Sequence, residues 1–204
     1  MRTSQPPARF GSGMVVFTAP TWAGDPGHAA SQVARVRALG DPVLDDVDAR
    51  ALADTVHALD ETFPAGGNYH LGARILPGLT NEALDAFLAS VEAMSATCVL
   101  NVHHAHGAAT RVPTTQSAYG YRDDHLAVEI IGTWADGDGA AEQAWVRDTE
   151  RRLDRHALPG GWANLMAHDD PRAQDAYGIN TSRLRAIKSH YDPDAVFTAI
   201  PLPR

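Results

Sequence analysis

The chain has 204 residues and a net charge of -8, and its 44% hydrophobic and 21% charged composition is typical of one compact globular domain. The acidic excess and the lack of a basic cluster argue against binding to nucleic acid or to an anionic membrane. A single cysteine, Cys98, excludes an intramolecular disulfide and a cysteine-rich metal site, and its apolar surroundings predict burial. No segment has the apolar run of a signal peptide or a membrane span, so we expect a cytoplasmic protein.

The first half of the chain alternates strand and helix patterns. Helix starts are marked by capping residues and by proline in a first turn, and strands by β-branched side chains. The predicted elements are a strand at 13–20, a helix between Asp25 and Gly40, a helix at 48–59, a strand at 68–76 and a helix capped by Thr80.

The second half continues in the same way. A run of β-branched residues at 125–135 is the strongest strand pattern of the chain. The predicted elements are strands at 97–106 and 125–135, a helix at 139–158 and a closing helix that Asn180 caps and Asp192-Pro193 ends.

Strands and helices alternate along the chain, but the pairing of the strands cannot be read from their order alone. The glycine-rich loops of doubly wound nucleotide-binding folds are absent from the sequence. We therefore predict an α+β fold, an antiparallel or mixed β-sheet covered by helices on one face. Residues 1–12 are predicted to be a flexible N-terminal segment, and residues 13–204 a single domain.

The densest group of polar side chains is NVHHAHGAATRV, residues 101–112. Side chains two apart on a strand share a face, so His104 and His106 are expected to point together, with His103 opposite. His70 of a neighbouring strand is a conceivable third metal ligand, but H-x-H alone is a weak metal pattern. We favour histidines that line a cleft and predict no metal site; structural or merely exposed histidines are the alternative.

A second group is SAYGYRDDH, residues 117–125. Tyr119 and Tyr121 are expected on one face of an extended segment and Arg122 on the other. Tyrosines can donate a proton or stack on an aromatic substrate, although tyrosines at a sheet edge are also common without a function. We predict Tyr69, His70 and Arg122 as substrate contacts.

The second half of the chain resembles the C-terminal substrate-binding (BBE-type) region of berberine-bridge-like FAD-linked oxidases. The segments that carry the resemblance follow the family's order. They are HGAATRV, SAYGYR, IIGTWAD, WVRDTERRL, GGWANLM and AYGINTSRLRAIKSHYDPDAVF. The last of these is the most specific, because many of its residues match in type and spacing together.

The resemblance implies an antiparallel sheet backed by helices, and a flavin that a separate N-terminal domain holds. These 204 residues contain no counterpart of that domain, so FAD is expected only with a partner or a missing domain. The family's tyrosine-x-asparagine segment reads here Trp162-Ala163-Asn164. Trp162 and Asn164 are therefore the predicted cofactor contacts, without the tyrosine hydroxyl that serves some relatives as a base.

Proton abstraction would then be the task of four catalytic candidates, His104, His106, Tyr119 and Tyr121. The predicted function is the substrate-binding portion of an FAD-dependent oxidoreductase that transfers hydride from a small organic molecule to flavin. Such a chain would be a fragment or one half of a split enzyme, with a separate FAD-binding chain as partner. Two alternatives remain: a cofactor-free cyclase or lyase that uses the retained pocket, and a non-catalytic assembly module that self-associates.

Overall fold

The computed structural model describes residues 16–57, 63–166 and 170–198, and the chain divides into two units, Met1–Gly66 and Gly67–Arg204. The first unit contains α1 (Pro26–Arg37) and α2 (Leu52–His57). Asp25 caps α1 as predicted, since its carboxylate accepts a hydrogen bond of 2.8 Å from the Gly27 backbone N–H. The prediction of one domain over 13–204 stays a prediction.

The strand predicted at 13–20 is wrong for its described part, 16–20, which forms no strand. Val16 and Phe17 are largely exposed instead. β-branched side chains favour a strand only where a neighbouring strand and a buried face are available, and the segment has neither. Residues 13–15 lie outside the described residues.

The second unit is built on a three-stranded antiparallel sheet in the order β1-β3-β2. The helices and strands of this unit match the predicted ones to within a few residues. They are β1 (Asn68–Leu76), α3 (Asn81–Glu92), β2 (Cys98–Ala105), β3 (His125–Trp134), α4 (Ala140–Asp154) and α5 (Thr181–Tyr191). The predicted fold class, α+β with an antiparallel sheet, is confirmed.

One face of the sheet is covered by α3 and α4. Val128 and Ile130 of β3 point to this face and pack against Val146 and Leu153 of α4 in the main hydrophobic core. Cys98 is buried in the same core, as its apolar surroundings predict. Because side chains alternate along a strand, the residues between these point to the opposite face.

The segment after α4 crosses the outer edge of β1 and reaches that opposite face. The Leu158 backbone N–H donates a 2.8 Å hydrogen bond to the Ile75 carbonyl, which occupies part of the free edge. Beyond it, Ala73 of β1 packs against residues of the C-terminal segment. This second core consists of Ala73, Met166, Ala173, Ala176 and Tyr177.

Asn180 does not cap α5, although it directly precedes the helix, so this prediction is wrong. Its side chain is buried, and its amide donates to backbone carbonyls of the 114–118 segment at 2.7, 3.2 and 3.4 Å. A buried amide must find hydrogen-bond partners, and tertiary acceptors replace the helix start here. Helix α5 ends at Tyr191, as the following Asp192-Pro193 predicts.

Candidate active site

A polar cluster on the face of the sheet opposite α3 and α4 consists of Asn101, His103 and Glu129. Strand register places Asn101 directly opposite Glu129, and His103 one position along the same face. His103 Nε2 lies 3.1 Å from Glu129 Oε1, and Asn101 Nδ2 donates to Glu129 Oε2 at 3.0 Å. The Glu129 side chain is only 15% exposed, whereas that of His103 is 47% exposed. A shielded carboxylate is thus held beside an accessible imidazole.

The hydrogen bonds of this cluster allow a proton to sit on either partner. Asn101 Nδ2 also lies 3.0 Å from His103 Nε2. If Nε2 carries a hydrogen, the imidazole donates to Glu129; if it does not, the imidazole accepts from Asn101. The cluster therefore has groups suited to accept and return a proton.

Trp162 borders the cluster. Its indole ring lies 5.7 Å from the His103 ring, centroid to centroid, in an edge-on arrangement, and its side chain remains partly exposed. Asn164 follows on the same short turn, is exposed, and makes no side-chain hydrogen bond within the described residues. Of the two predicted cofactor contacts, Trp162 thus lies next to the carboxylate–imidazole pair, and Asn164 follows it two residues later with an exposed amide.

His104 and His106 lie together, as predicted, with ring centroids 4.5 Å apart. His103 points to the opposite face of the sheet from His104, which is also as predicted. His104 and His106 are exposed and lie on the other face from Glu129. No group of three or more metal-binding side chains occurs within the described residues. The catalytic role of these two histidines stays a prediction.

The two tyrosines have different environments. The Tyr121 hydroxyl contacts the backbone carbonyls of Pro159 and Asp175, the latter at 2.8 Å, so it ties the 121 region to the C-terminal segment. The Tyr119 hydroxyl lies 3.0 Å from Nε2 of His125, which is buried on the same sheet face as Glu129. Burial raises the pKa of both phenols, and that of Tyr119 rises to about 12.

Of the predicted substrate contacts, Arg122 makes its hydrogen bonds within the segment between β2 and β3. Its guanidinium donates to the Ala109 carbonyl at 3.1 Å and to Ser117 Oγ, and it lies 5.4 Å from the Tyr119 ring centroid. Tyr69 and His70 point to opposite faces of β1, because they are successive strand residues, and only Tyr69 shares the face of Glu129. Their substrate contacts stay predictions.

Four residues of the site were missed by the sequence reasoning: Asn101, His103, His125 and Glu129. His103 was only expected on the face opposite His104 and His106, which were the predicted catalytic histidines. Glu129 is the one ionisable residue in the interior of the largely apolar β3, between the core residues Val128 and Ile130, whereas Asn101 belongs to the polar and mostly exposed second half of β2. An ionisable residue inside such a strand was the available signal. That the two side chains meet could not be inferred before the register of β2 on β3 was known.

Comparison with known proteins links this fold to one family. Residues 161–200 match the family model "Berberine and berberine like". The uncharacterized FAD-linked oxidoreductase YgaK of Bacillus subtilis (strain 168) is 33% identical over 94 residues, which cover 45% of this chain and 20% of that protein. The chain therefore matches only about a fifth of this curated relative's length.

Solved structures show the same fold over more of the chain. A variant of BBE-like 1 from Physcomitrella patens matches with a TM-score of 0.65 and 18% identity, over 89% of this chain and 42% of that one. Aclacinomycin oxidoreductase matches with a TM-score of 0.65 and 21% identity, over 86% of this chain and 41% of that one. The resemblance to the C-terminal region of berberine-bridge-like FAD-linked oxidases is therefore confirmed, and the chain carries a berberine-like segment on the fold of that region.

Proposed function

We propose that this chain provides the substrate side of an FAD-dependent oxidoreductase that acts on a small organic molecule. The observation that carries the proposal is the pairing of the shielded Glu129 carboxylate with His103, beside the exposed Trp162. The name of the aclacinomycin oxidoreductase describes that protein as an oxidoreductase of aclacinomycin, and we propose a small organic molecule as the substrate of the present chain as well.

The residues around Trp162 are compatible with the edge of a flavin. The exposed Asn164 amide offers both a donor and an acceptor, and the indole offers a flat apolar surface. Trp162 and Asn164 are the residues that would contact FAD. The chemistry that FAD supplies when bound is acceptance of a hydride from the substrate.

The chain's own contribution would be proton transfer and orientation. A substrate hydroxyl near His103 would pass its proton to the Glu129–His103 pair as the carbon is oxidised. Asn101 would keep the carboxylate oriented, since its amide occupies Glu129 Oε2. Trp162 would exclude water from one side of the pair.

The proposal is tested by reduction of flavin in a complex of this chain with its FAD-binding domain or chain. In stopped-flow measurements with substrate, Glu129→Gln should slow flavin bleaching on the order of 100-fold or more, because general-base catalysis contributes about 10²–10⁴-fold. Glu92→Gln is the matched control, since Glu92 is an exposed helix residue. Equal rates for Glu129→Gln and the control would contradict the proposal.

We also propose that a flavin-binding chain or domain covers the C-terminal segment. Ile179, Tyr191, Val196 and Phe197 are all strongly exposed and apolar, and lie within the berberine-like match. In each of the two solved structures, the whole chain is more than twice as long as the part that this chain matches, which leaves room for such a covering domain. Sedimentation of the chain with and without the flavin-binding part should show a one-to-one complex; self-association alone would favour an assembly role.

A further inference from the structure

His125 is a buried histidine on the face of the sheet opposite α3 and α4, and one of its ring nitrogens contacts a backbone carbonyl while the other contacts a phenol. Its side chain is nearly inaccessible, and its Nδ1 lies 2.8 Å from the Asp123 carbonyl oxygen. A carbonyl oxygen can only accept a hydrogen bond, so Nδ1 must carry the hydrogen. In the neutral imidazole, Nε2 is then a pure acceptor.

The group that faces Nε2 is the Tyr119 hydroxyl, at 3.0 Å. A phenol has one hydrogen, and Nε2 is the acceptor that it meets. Burial raises the pKa of Tyr119 to about 12, so the phenol keeps this hydrogen near neutral pH. The Tyr119 oxygen retains lone pairs but has no hydrogen left to donate to a ligand.

This pair lies along the strand from the proposed acid–base cluster. His125, Ala127 and Glu129 alternate on one face of β3, and His103 stands directly opposite Ala127. His103 is thus a diagonal neighbour of both His125 and Glu129, at the roughly 7–8 Å spacing of such strand positions.

The loop that carries Tyr119 is fixed in place. The Asn180 amide binds the backbone carbonyls of Ser117 and Ala118, directly before Tyr119. The Arg122 guanidinium, 5.4 Å from the Tyr119 ring centroid, supports the other side. The orientation of the phenol is therefore set by the fold.

We propose that His125 is a positioning residue that holds the hydrogen of Tyr119, so that the Tyr119 oxygen acts only as an acceptor for a hydroxyl group of the ligand. The proposal deepens the proposed function, on which its reference to a substrate rests. A Tyr119 oxygen that only accepts would favour ligands with a hydrogen-bond donor near Tyr119. Ethers and ketones, which only accept hydrogen bonds, would be disfavoured there.

The first test is the tautomer of His125, measured by ¹⁵N–¹H NMR correlation on the ¹⁵N-histidine-labelled full chain without flavin. We expect a hydrogen on Nδ1 and an unprotonated Nε2. Tyr119→Phe should shift the Nε2 signal downfield, toward that of an acceptor without a partner, and leave Nδ1–H in place. A hydrogen on Nε2 would overturn the proposal.

The second test compares two small probes, glycerol, which donates hydrogen bonds, and 1,2-dimethoxyethane, which only accepts them. In the wild-type chain glycerol should shift the Tyr119 ring and His125 Nε2 signals, and the ether should not. In His125→Leu the phenol hydrogen is released and the ether should now shift the Tyr119 signals. An equal response to both probes in the wild type would overturn the proposal.

Control variants distinguish the loss of the hydrogen-bond acceptor at His125 from a general loss of folding. His125→Gln supplies a side-chain oxygen as an alternative acceptor and should restore the preference for glycerol, whereas Tyr119→Phe should abolish both responses. If His125→Leu does not fold, the wild-type tautomer and the wild-type probe preference still decide the question. Both are read without flavin, so their failure leaves the Glu129 proposal intact, and failure of Glu129→Gln to slow flavin reduction leaves them intact.

Discussion

The Arg74 guanidinium and the Glu150 carboxylate form an ion pair of 2.9 Å at the outer edge of β1, and both side chains are largely buried. Gly72 makes room for Glu150, since a Cβ at this position would lie 2.5 Å from Glu150 Oε1. Arg74 also binds Asp154 at 2.7 Å and Asp170 at 3.0 Å. One guanidinium therefore ties α4 and the segment beyond Trp162 to the edge strand.

The crowding of carboxylates at Arg74 predicts a pH-dependent stability. Burial raises the pKa of Glu150 from 4.5 to about 7. The positive charge of Arg74 opposes this rise, and the negative charges of Asp170 and Asp154 add to it. The native state then binds the proton more tightly than the unfolded state, so the free energy of unfolding falls as pH rises from about 4.5 to about 7. Glu150→Gln should remove this fall. Above about pH 7 the free energy of unfolding of Glu150→Gln should therefore exceed that of the wild type.

Urea unfolding at several pH values between about 5 and about 8 measures this effect. Asp148→Asn, a change at an exposed carboxylate of the same helix, is the control and should keep the wild-type slope. A Glu150→Gln variant with the same pH slope as the wild type would show that Glu150 stays ionised throughout.

Removal of the buried Asn180 amide is expected to lower the free energy of unfolding substantially. Asn180→Ala would leave carbonyls of the 114–118 segment without their donor, and unsatisfied buried groups cost about 1–3 kcal/mol each. We expect the free energy of unfolding to fall by about 2 kcal/mol in denaturant titrations. Asn164→Ala is the matched control and should change it by less than about 0.5 kcal/mol, because Asn164 is exposed.

Gly120 lies so close to the backbone of Tyr177 that a side chain at this position does not fit. A Cβ on Gly120 would lie 2.4 Å from the Tyr177 carbonyl oxygen, which belongs to backbone and cannot rotate away. Gly120→Ala should destabilise the fold by about 1–3 kcal/mol, measured by thermal unfolding. Gly78→Ala, where nothing lies within 4 Å, should be close to neutral. Equal melting temperatures for the two variants would mean that the loop shifts freely.

Cys98 should be unreactive in the folded chain. Burial raises the pKa of its thiol, although the contact with Ser95 acts in the opposite direction, and only the thiolate is nucleophilic. Ellman's reagent should therefore label Cys98 slowly in native buffer and rapidly in guanidinium chloride. Rapid labelling in native buffer would indicate that α3 and β2 open frequently.

Among the described residues, every helix is too short or too polar to cross a lipid bilayer. This agrees with the sequence, in which no long apolar run occurs. The cytoplasmic location inferred from it stays a prediction.

The sequence by itself determined the helices and strands of the second unit and the berberine-like segment at its end. These features depend on local patterns: Thr80 as a cap, the run of β-branched residues at 125–134, and the residues before Asp192-Pro193. Local periodicity and capping act within a few residues, so they can be read without knowledge of distant contacts.

Only the tertiary structure decided which polar side chains form the site. The pairing of Asn101 with Glu129 depends on strand register, and a shift by one residue would turn each side chain to the other face. The same holds for Asn180, whose position before α5 indicates a cap but whose amide binds a segment more than sixty residues earlier. Residues 16–20 have the composition of a strand but form none, since a strand exists only with a partner. Contacts between distant segments, which no local pattern encodes, therefore decide which polar side chains of this chain meet.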